Sequence, residues 1–256
     1  MTTAFTTLIT AAELAALLAG AAKPVVVDTS FDLADPDSGE RRFRTSHLPG
    51  AHYLHLDQHL SGAKSGRNGR HPLPDRAAFA RTIGALGIGP ETQVVALDAQ
   101  GGVYAARLWW LLRWLGHGKV AVLDGGIPAW QRSGGSLTDQ PTPIPAAIGA
   151  PYPDRPSLAP SIDAAGVAAR PPRQAVLDAR SGERFRGESE PIDPVAGHIP
   201  GALNRSHKDN LGDGGVFKAP ALLRDEFVAV LGERAPAELI HSCGSGVTAC
   251  HNLLAM

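Results

Sequence analysis

The sequence predicts an α/β fold made of two related domains, each a parallel sheet flanked by helices. Three observations carry that expectation. The runs Val25–Asp28, Gln93–Leu97 and Val120–Leu123 are short, almost wholly apolar and rich in valine. This is the composition of strands buried on both faces, as in parallel sheets. Helical segments with recognisable start signals lie between them. The same arrangement then occurs a second time further along the chain, which marks an internal repeat.

The elements follow in order. Thr10-Ala-Ala-Glu13 is a capping box, so a helix is expected from there to Gly20, followed by the strand ending at Asp28. Asp75 caps a helix running to about Leu86. The strand at Gln93–Leu97 precedes a long helix from Gly102 to Leu115, whose Trp109, Trp110 and Trp114 are spaced for packing rather than for holding a cofactor. Val120–Leu123 is the next strand. In the second half, Ala175–Asp178 mirrors Val25–Asp28, and HIPGA (198–202) mirrors HLPGA (47–51). The run 239–256 mirrors 94–112. Asp28 and Asp178 are expected to tie down turns, and His47 and His198 to begin tight ones.

At roughly 100–150 residues per domain, 256 residues accommodate two. The boundaries read as 1–135, a Pro/Gly/Ser-rich linker at 136–160 that crosses the surface, and 161–256. The second copy lacks a counterpart of Lys119–Trp130, a strand with the start of a helix. It therefore reads as incomplete at its C-terminus, with a loosened sheet and low turnover expected.

Composition narrows the function classes. A net charge of −1, from 24 basic and 25 acidic residues, gives no reason to expect nucleic acid or an anionic membrane as partner. Two cysteines cannot make a disulfide framework, and Cys243 and Cys250 match no zinc-ligand spacing, so no metal is expected. The first twenty residues lack the basic start of a signal peptide. A cytoplasmic monomer is the expectation.

The chemistry is expected at His241-Ser-Cys243-Gly-Ser-Gly-Val-Thr248. A strand runs into Cys243, a glycine-rich turn follows, and a helix begins near Gly246. Such a turn aims backbone N–H groups and the positive end of a helix at whatever the sulfur carries. Gly244 and Gly246 allow the backbone to approach closely, while Ser245 and Thr248 add hydroxyls near the sulfur; Val247 completes the loop. Cys250, inside the helix, reads as a core residue. A thiol phosphatase is excluded, because its loop needs an arginine six positions past the cysteine and Ala249 stands there.

The loop CGSGVT, the paired H-[LI]-P-G-A segments and the two-domain length resemble the tandem rhodanese and 3-mercaptopyruvate sulfurtransferase family, over nearly the whole chain. The resemblance implies sulfur transfer through a persulfide on Cys243, from a small anionic donor (mercaptopyruvate or thiosulfate) to cyanide or a thiol. It implies no cofactor, and a thioredoxin-like reductant as a further partner. It also implies a catalytically silent first copy, in which the repeat alignment sets Ala99 opposite Cys243. Two arginines would bind the donor's carboxylate. Arg186 matches the first, whereas the second position falls on Ile192, which is not a cation. Asp57 and His71 match the acid and histidine that the first domain contributes, and with Ser245 they could relay protons. The competing reading is a non-catalytic sulfur carrier or binding protein, or an inactive remnant.

Overall fold

The computed structural model describes residues 4–143 and 149–256; Met1–Thr3 and the linker stretch 144–148 lie outside the described residues. The first half reads β1 (Leu8–Ile9), α1 (Ala11–Ala19), β2 (Val25–Asp28), α2 (Ser38–Thr45), β3 (Ala51–Tyr53), α3 (Arg76–Ala85), β4 (Val94–Leu97), α4 (Ala105–Trp114), β5 (Val120–Leu123) and α5 (Gly126–Arg132). The second half reads α6 (Ala164–Ala168), β6 (Ala175–Asp178), α7 (Gly182–Arg186), β7 (Leu203–Asn204), α8 (Pro220–Leu231), β8 (Leu239–Ser242) and α9 (Val247–Ala255).

Local chemistry sets the helix starts. Thr10 caps α1 through a full capping box, in which Glu13 Oε2 accepts from the Thr10 N–H at 2.8 Å. Asp75 caps α3 by accepting from the Ala78 N–H at 2.8 Å. The valine-rich strands pair in parallel in the order β1-β5-β4-β2-β3, with β4 and β5 buried at every position. Side chains alternate between the faces of a strand. Accordingly Val94 and Ala96 of β4 pack with α3 and α4, and Val95 and Leu97 pack on the opposite face with Leu14, Ile127 and Trp130.

The second sheet has three parallel strands, in the order β7-β6-β8. Among the described residues nothing pairs with the outer edge of β8, the edge that β5 occupies on β4 in the first sheet. Burial follows: β4 is fully buried, whereas every residue of β8 is intermediate. The larger core cluster nevertheless runs from the first sheet into the second half, taking in Leu177, Phe227, Val247 and Leu254. Helices α4 and α9 pack directly on each other. The described part of the linker lies along the first half: Thr138 bridges to His47, and Tyr152, 3% exposed, donates its N–H to the Ala80 carbonyl at 2.9 Å. No helix among the described residues is long and apolar enough to cross a membrane.

The paired strand-end residues act as local ties. Asp28 accepts from the Ser30 N–H and Asp178 from the Arg180 N–H. A ring nitrogen of His47 meets the Phe43 carbonyl, and one of His198 meets the Phe185 carbonyl.

Candidate active site at the Cys243 loop

Strand β8 ends at Ser242, and α9 begins at Val247 with Gly246 as its N-cap at φ +79°. The chain must turn within Cys243–Gly246, and the left-handed conformation at Gly246 favours glycine. The turn brings two backbone donors onto the sulfur: Cys243 Sγ accepts from Gly246 N at 3.0 Å and from Ser245 N at 3.4 Å. Gly246 N is the N-cap donor of α9 and Ser245 N lies one residue before it, at the end of the helix where the dipole favours negative charge. Cys243 is partly exposed and lines a cleft of about 830 Å³ together with Gly244, Ser245, Gly246, His71 and Arg107.

The first half repeats this geometry with a different atom in the cradle. Strand register pairs Asp28 with Leu97 and Asp178 with Ser242. The residue that follows each is therefore equivalent, so Asp98 stands opposite Cys243, not Ala99 as the repeat alignment suggests. The first loop is one residue longer up to its glycine, with Gly102 matching Gly246, and aligning the glycines conceals the shift. Asp98 is fully buried, and its carboxylate accepts from Gln100 N, Gly102 N, Tyr104 N and Ala105 N at 2.8–3.0 Å. The first cradle is filled by the protein's own anion.

Several expected residues do converge. His71 lines the cleft, buried, with its Nε2 at 3.4 Å from Asp57 Oδ1. Asp57 lies behind it and pairs with Lys64 at 3.0 Å. Burial holds the His71 imidazole down at about 4, so it is neutral at physiological pH. Other expected residues do not converge. Val247 is buried in the core, and neither it nor Thr248 lines the cleft. Cys250, expected as a core residue, is buried where α9 borders the cleft, donates to the Gly246 carbonyl at 3.2 Å, and has its thiol pushed up to about 11 by burial.

Arg186 is the main correction. It is more than half exposed and pairs with Glu188 at 2.7 Å, away from the cysteine loop. Residues two apart on a helix point to nearly opposite sides, and Arg184 takes the inward side of α7. Arg184 pairs with Glu190 at 2.7 Å and with Asp193 at 2.9 Å. Asp193 also pairs with Arg70, and all three side chains crowd Gly244.

Arg107 on α4 was not anticipated. It is 3% exposed, lines the cleft, and donates through Nη2 to the carbonyls of Leu60, His71 and Pro72 at 3.2–3.4 Å. Its Nη1 lies close to Gly246. One guanidinium thus anchors the His71 segment and lies against the cysteine loop. From α9, His251 reaches the other way, its Nε2 meeting the Gly101 carbonyl at 3.1 Å. Its Nδ1 accepts from Asn210 Nδ2 at 3.1 Å, so both ring nitrogens are satisfied by the neutral form.

His71, His241 and His251 all sit at about 4 because burial disfavours their charged form. Their ordinary value is 6.5. Between those values the unfolded chain binds more protons than the folded one, so stability falls as pH drops from about 6.5 toward 4. The slope reaches about 1.4 kcal/mol per pH unit for each histidine. Urea unfolding at pH 7 and pH 5 is expected to show a clear loss at the lower pH, reduced in His251→Gln. Equal stability at both pH values would contradict this account.

Comparison with known proteins agrees with this architecture. Residues 10–133 match the rhodanese-like domain model. The chain is 47% identical over 255 residues to a probable 3-mercaptopyruvate sulfurtransferase of Pseudomonas aeruginosa, covering 97% of this chain and 88% of that one. It is 38% identical to a putative thiosulfate sulfurtransferase of Mycobacterium tuberculosis, covering 94% and 84%. The solved 3-mercaptopyruvate sulfurtransferase from Leishmania major superposes with a TM-score of 0.80 at 28% identity, over 98% of this chain and 68% of that one. A parallel-sheet fold with a repeated strand–loop–helix cradle and this degree of similarity place the chain in the tandem rhodanese / 3-mercaptopyruvate sulfurtransferase family, and it is a sulfurtransferase.

Proposed function

We propose that Cys243 is the sulfur-carrying nucleophile, with 3-mercaptopyruvate as the favoured donor and thiosulfate as a second substrate. The observation that carries this reading is the pair of N–H donors on Cys243 Sγ at the start of α9. They stabilise an anion on that sulfur and on a persulfide extending from it.

In the first step the Cys243 thiolate attacks the donor's transferable sulfur. A new S–S bond forms, and the C–S bond of mercaptopyruvate breaks; with thiosulfate an S–S bond breaks and sulfite leaves. The pyruvate enolate takes up a proton, for which Ser245, neutral His71 and Asp57 form the relay. In the second step cyanide or an acceptor thiolate attacks the outer sulfur, giving thiocyanate or a new persulfide and returning the Cys243 thiolate. A thiol of a thioredoxin-like reductant fits the same role. The first domain, residues 1–135, carries no sulfur itself and supplies His71, Asp57 and Arg107 across the interface to the catalytic domain, residues 161–256. No cofactor takes part.

Arg184 meets the donor's anionic group. Incubation with either donor followed by peptide mass analysis is expected to place one added sulfur on Cys243, removable by cyanide. Arg184→Gln should lower kcat/KM for both donors by roughly tenfold or more, as loss of a charge-assisted contact does. Arg186→Gln should stay within about twofold of wild type. Sulfur found on Cys250 would overturn the nucleophile assignment, and an equal loss in both arginine variants would overturn the placement of the anion site.

A further inference from the structure

We propose that Arg70 and Arg184, one from each domain, form a clamp for the donor's carboxylate or sulfur oxyanion, and that Asp193 occupies this clamp as an internal gate until a donor displaces it. The proposal rests on the reading of Cys243 as the reacting sulfur and adds the means by which an anion is admitted to it.

The clamp is visible in the arrangement over Gly244. A side chain at Gly244 would meet Arg70 Nη2 at 2.6 Å, Asp193 Oδ2 at 2.7 Å and Arg184 Nη2 at 3.5 Å. Two guanidinium groups therefore converge beside the residue that follows Cys243, and one carboxylate bridges them. Arg70 sits between two cleft-lining neighbours, Gly69 and His71. Its Nε is buried with no hydrogen-bond partner. That shielded, unused N–H on a partly exposed guanidinium is a donor a ligand can take up. Planar, two-pronged donors of this kind suit carboxylates and sulfur oxyanions.

The charges identify Asp193 as the exchangeable member. Glu190 is committed elsewhere: it pairs with both Arg180 and Arg184 and accepts the N–H groups of Ile192 and Asp193. Arg180 is held by Asp178 at 2.7 Å. Among the described residues, Asp193 alone pairs with both Arg70 and Arg184. It lies on the loop 188–196, whose ends meet where Gly187 (φ +78°) packs against the Gly197 backbone. Glu190 fixes the backbone at Asp193, so opening needs only the Asp193 side chain to swing outward. A donor anion then replaces one carboxylate with another on the same two cations.

The two partners of this ion pair should respond in opposite directions. With mercaptopyruvate and thiosulfate assayed separately, Arg70→Met is expected to raise KM about tenfold or more. Asp193→Asn, which removes the competing carboxylate, is expected to lower KM several-fold. A purely structural ion pair would instead impair both variants. A second measurement does not need turnover: alkylation of Cys243 by neutral iodoacetamide, with pyruvate or sulfate as non-reacting anions. Both anions should protect Cys243, more strongly in Asp193→Asn and more weakly in Arg70→Met. Protection by pyruvate alone would assign the clamp to carboxylates, and protection by both to oxyanions in general. Unchanged KM and unchanged protection in both variants would overturn the clamp while leaving persulfide formation on Cys243 intact. Absence of any persulfide in the wild-type protein would instead remove the reading on which the clamp rests.

Discussion

Cys243→Ser is expected to lose sulfur transfer by on the order of a thousandfold or more with either donor, and to acquire no added sulfur on donor treatment. The reason is chemical. A serine hydroxyl holds its proton far above neutral pH, and an oxygen in that position cannot form the persulfide that links the two half-reactions. The backbone cradle would remain, since Gly246 N and Ser245 N are placed by the turn and by the start of α9 and not by the sulfur. The variant should therefore fold normally and still bind the anionic donor. Cys250→Ser is the control. The Cys250 thiol is pushed up to about 11 by burial and already spends its proton on the Gly246 carbonyl. A serine hydroxyl can make the same hydrogen bond, so the persulfide should still form on Cys243. Steady-state thiocyanate production and intact mass measure both variants. Residual turnover above about a tenth of wild type in Cys243→Ser would require another nucleophile.

The largest effect on stability is expected at Asp98, in the cradle that holds no sulfur. Its carboxylate satisfies four backbone N–H groups around the start of α4, at a site with no exposure to solvent. Asp98→Ala would leave those donors buried and unpaired. At about 1–3 kcal/mol for each orphaned group, with partial relaxation, the loss should be about 4 kcal/mol or more. For a chain of this size that corresponds to a fall in Tm of about 10 °C. Asp98→Asn keeps one carbonyl acceptor and the shape but not the charge, so its loss should be about half as large. Urea unfolding of the three proteins provides the test. A loss below about 1 kcal/mol in Asp98→Ala would mean that water or a shifted loop satisfies the donors, and that the carboxylate does not act as the cradle's built-in anion.

Much of this was legible in the linear sequence, and for an identifiable reason. The strands, the capped starts of α1 and α3, and the glycine turn after Cys243 depend on residues within a few positions of one another. Apolar runs, an Asp or Thr before a helix, and a Gly where φ must be positive are local signals, and they specify local structure. The duplication was visible for the same reason, because each copy repeats its own local signals. Cys243 followed from its place between a short strand and a glycine turn.

Tertiary structure decided the rest. Arg184 and Arg186 are two residues apart, and only the way α7 packs determines which faces the cysteine loop. Asp98 and Ala99 are adjacent, and only the pairing of β4 with β2 shows which one stands where Cys243 stands in the second sheet. Arg107 is far from Cys243 in sequence and reaches its loop because α4 and α9 pack together. Arg70 and Asp193 come from different halves of the chain and meet over Gly244. The sequence by itself determined the elements, the repeat and the reactive cysteine; the packing of the two halves decided which charged groups surround it. The physical reason is range: backbone propensities act over a few residues, whereas the placement of long charged side chains depends on where distant elements dock.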